Sequence, residues 1–266
     1  MKKIKFFLLI VLFYACTTQP NSAIPAQQNN TTVDGKLWAS LFQQCAAEYR
    51  ALCFQAYQIA QLRVEMSLHQ PSSKPRAVIT DIDETVLDNS PYAVHQSLLG
   101  KDYEPASWAD WTSRAQCDTL SGSLSFFTYA ASKKVKIFYI TNRDEKERAG
   151  TLQNLQHYGF PFADNDHLIM KQTTSSKESR RQDVMAKHNV ILLLGDNLSD
   201  FSALFDKKTT EERLSATQTS SALFGNRFIV LPNPSYGDWE SALYQYNYKL
   251  TPAQKDSVIK KNVKGY

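Results

Sequence analysis

The chain has 266 residues, of which 42% are hydrophobic and 21% charged, with 30 basic side chains against 26 acidic ones. At about 150 residues per domain this length admits one domain or two, and the low charge with 12% aromatic content excludes a disordered chain. Setting aside Lys2, Lys3 and Lys5, which lie in a segment read below as a leader, leaves 27 basic against 26 acidic groups, a net +1 that excludes the basic footprint of a nucleic-acid polymer binder.

Residues 1–5 are a positive start, residues 6–15 an apolar run, and Cys16 follows. This is the layout of a secretory signal, and the run is too short for a bilayer span of about 20 residues. Leu12-Phe13-Tyr14-Ala15-Cys16 resembles a bacterial lipoprotein signal, in which a small residue precedes the cysteine that takes the lipid. Phe13 and Tyr14 depart from the usual lead-in, and a plain signal peptide is the alternative. The resemblance implies a signal peptide over residues 1–15, lipidation of Cys16, and a membrane contact through a lipid anchor only. Thr17 in place of Asp resembles the outer-membrane sorting preference, so the expected location is the bacterial cell envelope. Residues 17–33 carry no charge and are rich in Thr, Asn, Gln and Pro, which suits a solvated tether over residues 16–33. With Cys16 acylated, Cys45, Cys53 and Cys117 remain. Cys45 and Cys53 sit eight residues apart in a helical segment, about 12 Å and too far to bridge, so no disulfide framework is expected.

The expected domain spans residues 34–266. Residues 34–69 repeat apolar side chains at helical spacing (Leu37, Leu41, Ala46, Tyr49, Leu52, Tyr57, Ala60, Met66), which predicts a helical extension over residues 34–70 as one long or two short helices. Short apolar runs then follow at Ala77-Val78-Ile79 and at residues 135–140, 190–194 and 228–231. Separated by amphipathic segments, they predict buried parallel strands alternating with helices, with crossover helices at residues 146–158 and 177–188. Residues 90–122, rich in Trp and Tyr and without a clear period, read as an insertion. The fold class is α/β, a Rossmann-like parallel sheet flanked by helices.

Three of the apolar runs end at polar residues: Thr80-Asp81-Ile82-Asp83-Glu84-Thr85, Thr141-Asn142-Arg143, and Gly195-Asp196-Asn197-Leu198-Ser199-Asp200. In an open parallel sheet ligands bind outside the carboxyl ends of the strands. These groups therefore converge and bring Asp81, Asp83, Asp196 and Asp200 into one pocket. Carboxylates that close cannot all stay ionised without a cation, and oxygen donors favour a hard divalent ion such as Mg²⁺. Each piece alone is ordinary loop chemistry. An EF-hand is excluded, because Val86 stands where glycine is required and Tyr92 where the bidentate glutamate belongs.

Asp81-Ile82-Asp83-Glu84-Thr85-Val86-Leu87-Asp88-Asn89 resembles the signature of the haloacid dehalogenase (HAD) superfamily of phosphotransferases. Paired with Gly-Asp-Asn-Leu-x-Asp at 195–200, it resembles the class C acid phosphatases, bacterial outer-membrane lipoproteins, from about residue 35 to Trp239. The resemblance implies a HAD core with a small cap-like insertion and hydrolysis of nucleotides and similar phosphomonoesters through an aspartyl-phosphate. It implies Asp81 as nucleophile, Asp83 as general acid/base with its backbone carbonyl on the metal, and one Mg²⁺ held by Asp81, Asp83 and Asp196, with Asp200 as ligand support or second layer. Thr141, Asn142 and Lys177 are then the phosphate-binding candidates, with Lys171 as rival to Lys177. It also implies a homodimer.

Trp108 and Tyr236 align with the aromatic pair that sandwiches the nucleotide base in relatives; the alternative is that they are core or interface aromatics. Trp111 and Trp239 read as packing residues. Two other readings remain: a non-catalytic binding or adhesin lipoprotein on the same fold, and a phosphatase for sugar phosphates or other non-nucleotide esters. No cysteine has an arginine six positions later, and neither Arg-His-Gly nor a P-loop Gly-Lys-[Ser/Thr] occurs.

Overall fold

The computed structural model describes residues 30–266; the signal peptide, Cys16 and most of the tether lie outside the described residues. Helix α1 (Thr31–Cys45) opens the fold, with the Asn30 side chain accepting from the Val33 N–H at 3.3 Å. This cap satisfies one of the orphan donors of the first turn. The helix thus starts ahead of Asp34, and Thr32 and Val33, expected in the tether, are buried. Ala46, with ψ 126°, breaks the extension in two without proline or glycine, and α2 (Ala47–Leu68) follows.

The rest of the chain runs β1 (Arg76–Thr80), β2 (Leu87–Asp88), α3 (Ser90–Leu98), α4 (Pro105–Ser113), β3 (Asp118–Thr119), α5 (Ser123–Ser132) and β4 (Lys136–Ile140). It continues through α6 (Arg148–His157), β5 (Leu168–Ile169), α7 (Glu178–Lys187), β6 (Asn189–Gly195), α8 (Thr210–Thr219), β7 (Phe228–Val230), α9 (Asp238–Leu243) and α10 (Pro252–Asn262). Five strands form one parallel sheet in the order β5-β4-β1-β6-β7. Its strands are apolar runs because helices cover both faces. On one face Val78, Ile137, Leu192 and Leu194 pack with Tyr57 of α2 and Phe126 and Phe127 of α5; on the other, Ala77, Ile79, Phe138 and Leu193 pack with Val184 of α7 and Ala216 of α8.

α2 meets the sheet through Tyr49, Cys53, Ala56, Tyr57, Ala60 and Val64, a stripe at helical spacing whose small residues permit close approach. Leu41, Leu52 and Met66, members of the same apolar repeat, are 45%, 45% and 50% exposed. In the insertion, α3 and α4 each carry a proline in the first turn, the position that tolerates a missing N–H. The antiparallel β2–β3 pair draws the ends of the insertion together. α10, begun by a reciprocal Thr251–Gln254 capping box, packs on α1 and α9.

β1 lies between β4 and β6, so the chain leaves β1 towards one edge and returns on the other side. That reversal of strand order opens a crevice at the carboxyl ends of β4, β1 and β6. The three polar motifs sit there.

Candidate active site

Asp81 is the first residue past β1, and its N–H donates to the Leu194 carbonyl of β6 at 3.0 Å. That bond ties the start of its loop to the neighbouring strand. Lys177, immediately before α7, donates to Asp81 Oδ1 and stands 2.7 Å from Asp200 Oδ1. All three side chains are buried. Gly195 ends β6, and a Cβ there would lie 2.5 Å from Asp200 Cβ and 2.8 Å from its Cγ. Only glycine lets Asp200 fold back over the strand end. Asp200 is also held by its own turn, since the Asn197 N–H donates to its Oδ2 at 3.1 Å. Asp196 accepts from Asn233 Nδ2 at 2.7 Å and from the Thr85 hydroxyl at 3.4 Å.

Asp81, Asp196 and Asp200 each present an oxygen within 4.8 Å of the others. The Asp83 carboxylate, expected to serve as acid/base while the backbone carbonyl meets the metal, lies outside this group. It turns to Arg143, whose Nη2 and Nε donate to Oδ1 at 2.7 and 3.0 Å, and Asn89 Nδ2 donates to the same oxygen at 2.9 Å. Its Oδ2 receives a single longer contact, 3.3 Å from Arg143 Nε. Asp200, expected in a supporting layer, contributes an oxygen to the cluster itself.

Burial pushes the Asp81 carboxyl up to about 7; Lys177 opposes the rise, while Asp200 and Asp83 add to it. Burial, with Asp200 and Asp81 beside it, raises Asp196 well above the usual carboxylate range. Burial alone would lower the Lys177 ammonium, but Asp200 and Asp81 hold it above the ordinary lysine value. Ionised, the cluster carries three negative charges against one lysine, leaving an excess of two. Hard oxygen donors with that excess fit one divalent cation.

Asp81, Asp83, Asp196, Asp200 and Lys177 line one cavity of about 590 Å³, together with Asn142, Arg143, Trp108 and Tyr236. Thr141 is not among its lining residues. It is buried at the end of β4, where its hydroxyl accepts from the Arg143 N–H at 3.1 Å and its carbonyl from Arg180 Nη1 at 2.6 Å. Asn142 accepts from Arg180 Nη2 at 2.7 Å. Lys171 pairs instead with Asp144 at 2.6 Å, away from the carboxylates, and Lys177 takes the site position. Trp108 packs edge-on against Tyr92 with ring centroids 5.0 Å apart, and the Arg143 guanidinium lies 5.8 Å from its ring. Tyr236 donates its hydroxyl to the buried Glu84. Trp111 donates to Asn89 Oδ1 at 2.9 Å as well as packing, whereas Trp239 is 47% exposed rather than packed away.

The family model of HAD superfamily, subfamily IIIB (acid phosphatase), matches residues 14–239. The chain belongs to this family. Two solved structures of the class C acid phosphatase from Bacillus anthracis superpose with a TM-score of 0.86. One is 41% identical and covers 89% of this chain and 99% of its own; the other, with tungstate bound, is 40% identical and covers 90% and 100%. Among curated proteins, acid phosphatase 1 of Solanum lycopersicum is 27% identical over 130 residues, 46% of this chain. The stem 31 kDa glycoprotein of Glycine max is 25% identical over 128 residues, also 46% of this chain. The chain spans about half the length of these curated relatives, 50% of each.

Three further side chains hold the site and carry little or no signal of that role in the sequence. Arg143 stood in the quoted Thr-Asn-Arg run, but a charged residue at a strand end reads as solvated; the fold buries it to 2% exposure. Arg180, three residues after Lys177, carries no sign in the sequence of its role in bracing Thr141 and Asn142. Asn233, the partner of Asp196, carries no signal in sequence at all.

Proposed function

We propose that the protein is a metal-dependent phosphomonoesterase acting through an aspartyl-phosphate, with nucleoside monophosphates as its substrate class. The observation that carries this reading is the pairing of buried Asp81 with Lys177 beside Asp196 and Asp200, with Asp83 held separately in the same cavity. An Asp81 oxygen attacks phosphorus, the P–O bond to the leaving alcohol breaks, and an acyl phosphate forms. Asp83, steadied through Oδ1, has Oδ2 available to give its proton to the leaving alkoxide. It then takes a proton from the water that splits the acyl phosphate and returns Asp81 and free phosphate. The Lys177 ammonium stabilises charge on the transferring group, and Arg180 braces Asn142, which lines the same cavity.

Asp81, Asp196 and Asp200, with the Asp83 backbone carbonyl, are the residues that would hold a divalent cation; Mg²⁺ fits the oxygen donors. Such an ion supplies charge neutralisation for the transferring phosphoryl oxygens. That a relative takes tungstate, an oxyanion like phosphate, supports a phosphoryl site here. Trp108 and Tyr236 in the cavity wall support a stacked base, an interaction worth about 1–3 kcal/mol. We further propose lipidation at Cys16, an envelope location and a homodimer. Among the described residues no helix is long and apolar enough to cross a membrane.

The test is phosphate release from a panel of nucleoside monophosphates and sugar phosphates, with Mg²⁺ or with EDTA, by wild type and D81N. Mg²⁺-dependent release, fastest with nucleotides and absent in D81N, is expected. D81N retaining a tenth of the wild-type rate would refute the nucleophile, and equal rates on sugar phosphates would refute the nucleotide preference. C16S is expected to leave the membrane fraction; its retention there would refute the anchor.

A further inference from the structure

The outer part of the cavity is built by segments far apart in the chain. Lys36 of α1, Asp102 of the loop between α3 and α4, and Lys255 of α10 all line the same cavity as Asp81 and Asp196. They meet in one ion cluster. Lys36 Nζ lies 2.6 Å from Asp102 Oδ1, Lys255 Nζ 2.9 Å from Asp102 Oδ2, and Lys36 also stands 3.6 Å from Glu240 Oε2. The three central side chains are 16%, 29% and 21% exposed, so the cluster is mostly withdrawn from water. The Tyr103 N–H donates to Asp102 Oδ1 at 2.8 Å, and Gln96 holds the Asp102 carbonyl at 3.0 Å, so the carboxylate is aimed rather than loose.

α10 packs on α1 and α9 and lies beyond the residues matched by the family model. Polar ties add to that packing in placing it at the cavity. Besides Lys255–Asp102, these include the Thr31 N–H donating to Asp256 Oδ1 at 3.1 Å. The Ser97 hydroxyl, donating to the Val33 carbonyl at 3.1 Å, fixes α3 to α1. Two ammonium groups share one carboxylate at the centre. Without it they would repel each other and the three segments would lose their common partner.

We infer that the Lys36–Asp102–Lys255 cluster is a rim clasp that sets the outer wall of the cavity and so favours phosphomonoesters with a bulky alcohol moiety over small ones. This rests on the phosphomonoesterase reading. A phosphoryl group sits on the floor formed by the strand ends, and a short alcohol ends there. A nucleoside extends past Trp108 and Tyr236 to the clasped rim. Contacts at the rim are far from the reacting bond and equal in ground and transition states, so they act on KM and leave kcat alone. Asp102 and its lysines are therefore specificity-determining positioning residues.

The experiment compares kcat and KM for adenosine monophosphate and glycerol phosphate in the wild-type chain, D102N and K255M, with melting curves for each. In the variants, the ratio of kcat/KM for adenosine monophosphate over glycerol phosphate is expected to fall about tenfold, carried by KM. K255M keeps the Lys36–Asp102 pair and carries the test if D102N melts below the assay temperature. A ratio within twofold of wild type in a folded variant, or a loss carried by kcat on both esters, overturns the clasp. A wild type that hydrolyses glycerol phosphate but not adenosine monophosphate overturns the clasp and the nucleotide preference and leaves the phosphomonoesterase reading standing. A wild type that hydrolyses neither overturns the phosphatase reading and the clasp with it.

Discussion

Asp81→Asn separates the electrostatic cost of the site from its chemistry. The Asp81 carboxyl rises from 3.8 to about 7 on folding, chiefly through burial. A folded value above the unfolded one means that the folded chain keeps a proton that the unfolded chain releases between pH 3.8 and about 7. The stabilisation from that proton is complete below the lower value and is lost as pH climbs through the upper one. One proton corresponds to a slope of about 1.4 kcal/mol per pH unit, so the full window amounts to about 4 kcal/mol. Asparagine has the same shape and no proton to lose. In EDTA, wild type and D81N should therefore melt alike near pH 4. The variant should then become progressively the more stable as pH rises to 7, the gap opening by about 3–5 °C per unit in a chain of this size. With saturating Mg²⁺ the order should reverse, because the ionised carboxylate becomes a ligand and binding to the native state alone stabilises it. Differential scanning calorimetry from pH 4 to 8 measures both arms. A gap in EDTA that does not change with pH would refute the argument that a crowded, desolvated carboxylate cluster is waiting for a cation.

Arg143→Met should lower kcat by about 10²–10⁴-fold, the value of a positioned acid–base group. It should also cost about 3 kcal/mol of stability in urea titrations, because Asp83 loses its ionic partner in a nearly closed setting; a kcat within threefold of wild type would remove Arg143 from the site. Asp102 behaves opposite to Asp81. Burial favours a higher value, but Lys36 and Lys255 outweigh it and bring the carboxyl down to about 2. Its contribution is whole above pH 3.8 and is lost as pH falls towards 2, so acid melts should show wild type losing up to about 2 kcal/mol that D102N does not lose, discounted for partial exposure. Parallel acid limbs would disprove it. Gly195→Ala should displace Asp200, lower stability by about 1–3 kcal/mol and weaken Mg²⁺ binding in titration calorimetry; unchanged affinity would show that Asp200 does not need its close approach to β6.

The strands were legible because a parallel sheet covered on both faces turns each strand into an apolar run, and the polar residues after such runs must fall at one edge. Ala77-Val78-Ile79 followed by Asp81 is that pattern in its plainest form. The helical extension was legible as helix but not in its orientation. Periodicity ranks residues by hydrophobicity, yet α2 approaches the sheet through Cys53, Ala56 and Ala60, because small side chains admit close packing, and leaves Leu52 and Met66 outside. The insertion had no period to read, since α3 and α4 are nine residues each, too short to repeat a stripe.

In the site, residue types were legible and directions were not. Asp83 and Asp200 are both four-atom carboxylic side chains in loops after strands, and spacing alone does not say which oxygen faces the cluster. The deciding partners lie elsewhere in the chain. Arg143, 60 residues on, draws Asp83 away from Asp81, while Lys177, the N-cap residue of α7, draws Asp200 towards it. The two cations thus sort four like charges into two groups: three carboxylates whose oxygens could hold a metal, and one carboxyl held apart with one oxygen only lightly engaged. If both carboxylates faced the cluster, nothing would remain to move a proton. If both turned away, the excess of negative charge over Lys177 would fall from two to one, and a divalent ion would lose one of its three carboxylates. The proposed division of labour between nucleophile and acid therefore depends on where the arginine and the lysine enter, which is a property of strand order and not of the Asp-x-Asp motif.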